Sequence, residues 1–197
     1  MTLTISKFRR LLPLLSMLAV AVFTVACAPL TVPPQSEYPV GRARLVLPPG
    51  AWQDLGTSDE TVTGPGGARM GLQTRAVGLR GAQGDWQAVL RVQTNRTSDL
   101  RGSPQGVGYC PAQLDVIVKD AADGSPVRAD CLRFKLWASS PKWLEKNRSD
   151  LVQWMSSRQI ALKAPYSHVG YRYVTEAGVW VVVDALVDQR LLSTRPR

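Results

Sequence analysis

Two runs with a period of two constrain this chain most. From residue 86 to 93, Trp86, Ala88, Leu90 and Val92 alternate with Gln87, Arg91 and Gln93. Further on, Val179, Val181, Val183, Ala185 and Val187 alternate with Trp180, Val182, Asp184 and Leu186. Successive side chains on a strand point to opposite faces, so both runs predict strands in a sheet. The first has one dry side and one wet side. The second carries apolar bulk on both, which predicts a central strand.

Other strand signals surround these two. Arg42 to Leu47 reads as a short strand closed by Pro48-Pro49-Gly50, and Trp52 to Leu55 as another. Gly64-Pro65-Gly66-Gly67 predicts a turn. Met70 to Arg80 follows, then the turn Gly81 to Gly84, while Asn95 to Tyr109 is polar and glycine-rich and reads as a loop. Leu114 to Lys119 and Val127 to Trp137 flank an Asp123-Gly124 turn, the pattern of a hairpin. On the return strand Cys131, Arg133, Lys135 and Trp137 fall opposite Leu132, Phe134 and Leu136. His168 to Thr175 and Val179 to Leu191 form the last pair, joined by Glu176-Ala177-Gly178.

One region is helical. Ser140-Pro141 supplies an N-cap and a first-turn proline. Leu151, Val152, Met155, Gln159 and Leu162 then recur at helical spacing until Pro165. Asn147-Arg148-Ser149 is a place to split it, with Ser149 capping a second helix. Strands arrive mainly in hairpins and never alternate with helices. The expected class is therefore α+β: a mainly antiparallel sheet packed on one face by one or two helices.

The N-terminus carries a different signal. Lys7, Arg9 and Arg10 precede an apolar stretch from Leu11 to Ala26, interrupted by Pro13 and Ser16, and Thr24-Val25-Ala26-Cys27-Ala28 closes it. The stretch is shorter than the roughly 20 apolar residues a spanning helix needs. A basic start, a short apolar middle and a small-residue end describe an export signal. This order resembles the signal peptide of bacterial lipoproteins, with Thr24 where that family favours Leu. The resemblance implies that residues 1–26 are removed and that Cys27 becomes the acylated N-terminus, bearing chains such as palmitate. Ala28, in place of the Asp that retains enterobacterial lipoproteins, implies the outer membrane and its periplasmic face.

Removing 26 of the 197 residues leaves 171, suited to one domain. Residues 27–41 hold the lipid site and a proline-rich tether, and 42–197 are expected to form a single globular domain. An extended tether of this kind reaches roughly 40 Å at about 3.1 Å per residue. The formal charge of +9 falls to +6, because three of the 24 basic residues leave with the signal. The remaining charges are interspersed, so no nucleic-acid partner is expected.

With Cys27 assigned to lipid, Cys110 and Cys131 remain. An exported protein meets an oxidising compartment, so a structural disulfide is the leading reading; a metal site or a redox pair are the alternatives. The only histidine, His168, lies 37 residues past Cys131, and no Cys-x-x-Cys occurs. No metal and no cofactor is expected.

Chemistry-bearing candidates are few. His168 is the one imidazole, but Ser167 beside it would point to the opposite face of a strand. Asp184 and Asp188 share a face at roughly 13 Å spacing, too far apart for a glycosidase pair. Ion pairing with Arg172 or Arg190 fits them better. Asn95-Arg96-Thr97 matches a glycosylation acceptor, here a chance match. Trp137, sharing a face with Arg133 and Lys135, and Trp154, at the edge of the helical stripe, are candidate partner-binding aromatics. Gly-x-Ser-x-Gly, Walker-type and His-Glu-x-x-His motifs do not occur. The expectation is a non-enzymatic envelope lipoprotein. It would be membrane-attached through its lipid and would bind or help assemble an envelope protein or polymer. A periplasmic hydrolase using His168 or a carboxylate of the final hairpin is the alternative.

Overall fold

The computed structural model describes residues 37–63, 69–97, 110–140 and 142–193, all within one compact unit. Cys27, the export signal, most of the tether and the Gly64–Gly67 turn lie outside the described residues.

Nine strands and three short helices make up the described chain. They are β1 (Glu37–Val40), β2 (Ala43–Val46), β3 (Ala51–Thr63), β4 (Arg69–Arg80), β5 (Trp86–Asn95), β6 (Ile117–Asp120), β7 (Ala129–Lys135), α1 (Trp143–Asn147), α2 (Ser149–Ser157), β8 (Tyr166–Val174), β9 (Trp180–Asp188) and α3 (Gln189–Ser193). The protein is mostly antiparallel sheet. Seven strands run in the order β3-β4-β5-β9-β8-β7-β6, and β1 and β2 form a separate pair. The large sheet is thus two meanders, β3–β5 and β6–β9, joined where β5 pairs with β9.

The boundaries differ from expectation in physically readable ways. The tether expected over 27–41 ends sooner, because Glu37–Val40 pair with Ala43–Val46, and Tyr38 and Val40 are buried. Tyr38 packs with Leu47 and Val77, against Leu45, Trp52 and Leu90. Apolar burial on alternate residues therefore overrides the proline content of this segment. Pro39 is tolerated because the pair has only two strands, so each has an unpaired edge. The helical region does divide at Arg148, but Ser149 is the first residue of α2, not its cap. The helical stripe ends at Ser157, short of Gln159 and Leu162. Gln159 takes a positive φ of 55°, and Leu162 instead bridges to Trp86.

Trp86 is the clearest departure. Strict alternation groups it with Ala88, Leu90 and Val92. A bulge where Arg80 meets Trp86 shifts the register by one residue and turns the indole to the other face. There it lies over Gly78, where any Cβ would overlap the ring. Trp86 joins Val89 and Leu186 of the sheet and Leu144, Leu151, Met155 and Ile160 in the largest buried cluster. β5 therefore has apolar cover on both faces, not one dry and one wet.

Asn95 also acquires a structural role. Its buried amide donates to the carbonyls of Thr97 and Gly178 and accepts from the Trp180 N–H at 3.1 Å, tying the end of β5 to the β8–β9 turn. An amide so placed offers nothing to a glycosylating enzyme.

Leu186 is fully buried at the centre of the main cluster. Leu186→Ala should cost about 2–5 kcal/mol, read as a lower urea midpoint with an unchanged slope.

Candidate functional site

Register places the chemistry of this protein on one line across the sheet. Arg133 on β7 is opposite Gly170 on β8, Gly170 opposite Asp184 on β9, and Asp184 opposite Arg91 on β5. Residues on one register line share a face. Two residues along β8 in either direction, that face carries His168, opposite Lys135 and Leu186, and Arg172, opposite Cys131 and Val182. The break between α1 and α2 brings Arg148 to the same place. A cleft of about 530 Å³ opens there, with Arg133, Arg148, Arg172, His168, Asp150 and Asp184 in its wall.

Arg148 organises the cleft. Its backbone N–H donates to Leu144, ending α1, and its carbonyl accepts from Leu151 and Val152, starting α2. Its guanidinium grips Asp184 with both terminal nitrogens, Nη2 donating to Oδ2 at 2.7 Å and Nη1 to Oδ1. It also grips Asp150, with Nε and Nη2 at 3.1 and 3.0 Å. Arg91 donates to the same Asp150 at 3.3 Å. The forked guanidinium suits this work because its donors lie in one rigid plane.

His168 is buried against this cluster, its ring centroid 5.8 Å from that of Trp143. Nε2 lies 3.2 Å from Arg148 Nη1, which can only donate, and near Asp184 Oδ1, which can only accept, so either tautomer leaves Nε2 engaged within the cluster. Asp184 Oδ1 is 3.3 Å away, but that carboxylate is already held by Arg148. Burial first, then the cations of Arg148 and Arg133, lower the imidazole from 6.5 to about 4. Asp150 moves down to about 2, because its hydrogen bonds from Arg148 outweigh the opposing effect of burial.

Gly170 forms the floor. A Cβ there would press on His168 Cε1 at 3.3 Å, so glycine is what lets the imidazole pack against the strand. The segment after Cys110 forms a wall. Cys110 and Cys131 are joined in a disulfide across 21 residues. Beyond it Pro111 and Gln113 accept from Arg133, the first through its carbonyl at 2.7 Å. Gln113 in turn donates to Asn147 at 2.7 Å, and Asn147 to the Trp143 carbonyl at 2.7 Å.

The remaining candidates are scattered. Ser167 points away from His168's face and donates to the Leu136 carbonyl at 2.7 Å. Asp188 is paired with Arg190 at the far end of β9, while Asp184 pairs with Arg148 and not with Arg172. Lys135 is buried, its ammonium 5.7 Å over Trp143. Trp137 is 54% exposed just past β7, above a shallow hollow shared with Asp115, Ile117 and Leu136. Trp154 is half-buried against the main cluster, between the guanidinium groups of Arg91 and Arg158. Arg148, the residue that holds the cleft together, was invisible as a site from sequence. Its one signal was its position at the expected helix split. Among the described residues no group of three His, Cys, Asp or Glu side chains could hold a metal ion.

No protein-family model, curated protein or solved structure matches this chain.

Two outcomes follow from the clamp. Arg148→Met strands Asp184 in a half-buried site and should cost about 3–5 kcal/mol in urea unfolding, with most of it recovered by adding Asp184→Asn. His168 titrates below its unfolded value, so the unfolded chain binds the extra proton between pH 6.5 and about 4. Stability should therefore fall across that window as pH drops, by roughly 3 kcal/mol. In His168→Gln, which keeps an acceptor for Arg148, that fall should be much reduced.

Proposed function

We propose that this chain is a lipid-anchored envelope protein of the bacterial outer membrane, facing the periplasm, and that it binds an envelope component without transforming it. The address rests on the resemblance of residues 1–28 to a lipoprotein signal peptide, with Cys27 as the acylated residue. In this reading the helices cover one end of one sheet face and leave the cleft beside them as the binding surface.

The observation that carries a binding role is the spent state of the cleft's titratable groups. The His168 Nε2 is engaged by Arg148 or Asp184 in either tautomer, and both carboxylates of the wall are held by guanidinium groups. A general base needs a free lone pair and a proton within reach. Nucleophilic catalysis needs a hydroxyl or thiol beside that base. Ser167 is turned to the opposite face, and Cys131 is in its disulfide. Among the described residues of the cleft, the hydrolase alternative therefore has no free base–nucleophile pair to work with.

Cells expressing the full chain and fed an alkyne-bearing fatty acid should incorporate the label, and Cys27→Ser should abolish it. An unlabelled parent protein would overturn the address. In a strain lacking the protein, His168→Gln should restore the envelope as well as the parent does. Failure of that conservative variant at parental abundance would favour the hydrolase.

A further inference from the structure

Charge in the cleft does not balance. Its wall holds three arginines, Arg133, Arg148 and Arg172, against two aspartates, Asp150 and Asp184, with His168 neutral at pH 7. Both aspartates are engaged by Arg148, and Asp150 also by Arg91. Arg133 donates only to uncharged oxygens, the Pro111 carbonyl and the Gln113 amide. The Arg172 side chain forms no hydrogen bond or ion pair with any described residue. The excess positive charge is therefore gathered at the Arg133–Arg172 end.

The sheet sets these two cations side by side. Arg172 is opposite Cys131 and Arg133 is opposite Gly170, so they are diagonal neighbours on one face, their strand positions roughly 7–8 Å apart and each within reach of the other's long side chain. Like charges so close oppose folding. Although Arg172 is exposed overall, its proton is made easier to lose, first by partial desolvation in the cleft and then by the charges of Arg133 and Arg148. The cleft volume, about 530 Å³, suits a ligand of sugar size.

We propose that Arg133 and Arg172 form a binding site for an oxyanion, a carboxylate or phosphate group carried by a small ligand whose body lies in the cleft. This deepens the binding role proposed above and rests on it. A guanidinium pair matches an oxyanion because each fork can donate two parallel hydrogen bonds. Arg133 is held ready by the segment that the Cys110–Cys131 disulfide fastens to β7, while Arg172 stands exposed to receive. An arriving anion would offset the repulsion between the two.

The test is calorimetric titration of the full chain, purified in a non-ionic detergent. The probes are N-acetylmuramic acid, glycerol 1-phosphate and uncharged N-acetylglucosamine. One or both anions should bind, more weakly as salt rises, and N-acetylglucosamine should not. Binding of the sugar acid alone assigns the site to a cell-wall carboxylate; binding of glycerol phosphate alone assigns it to a lipid headgroup phosphate. Arg172→Gln should weaken the bound anion about tenfold or more. Arg172 is exposed and unpaired, so its replacement should leave the circular dichroism spectrum unchanged; Arg133→Gln is the second arm. No binding of either anion, or equal binding by both variants, overturns the site. That result would leave acylation of Cys27 untouched, and an unacylated Cys27 would leave the titration untouched.

Discussion

The pairing of β5 with β9 is the constraint on which the rest of the structure depends. Each meander alone would be a small sheet with an exposed edge. Joined, they make β9 a strand paired on both sides, with Leu186 and Val89 side by side in the largest buried cluster. The register of that junction is well specified because a slip of one residue would carry Leu186 to the opposite face and Ala185 to the core side. The same register sets Asp184 between Gly170 and Arg91. Core packing and site geometry are thus two consequences of one alignment.

Arg148 converts that alignment into a cleft. A partly buried ion pair seldom adds much net stability, since desolvation consumes most of the Coulombic gain. What it supplies is position. The guanidinium is tied to β9 through Asp184, while its own backbone ends one helix and starts the next. The helix break is thereby anchored over the sheet at the point where Gly170 lies opposite Asp184. The disulfide anchors the opposite wall, so the cleft is bounded by two fastened segments. Its acid–base groups are consumed in building it, which supports the binding role proposed above.

Much of the fold was legible in the sequence. β4, β5 and β9 lie close to where alternation and turn signals put them, and β9 is central as its two apolar faces required. The Cys110–Cys131 bond links the residues that remained after the lipid site was assigned. Other features were not legible. Trp86 changes face because of a bulge, and bulges leave little trace in a pattern of twos. The strand Glu37–Val40 hides in a proline-rich run because its apolar residues find a core only in three dimensions. Lys135 reads as sharing a face with a candidate partner-binding Trp137, yet it is buried, its ammonium over Trp143 at the start of the next helix.

Local periodicity by itself determined that this chain forms antiparallel hairpins around a divided helix. Such features follow from residues a few positions apart, where side-chain direction and backbone preference act directly. The cleft was decided only by tertiary structure. Arg148 and Asp184 are separated by 36 residues, and Arg133, Gly170 and Asp184 come from three strands. Nothing in a linear string states which strands will be neighbours, or which of its many arginines will be left without a carboxylate. That is decided when burial of the apolar faces selects one strand order and one register.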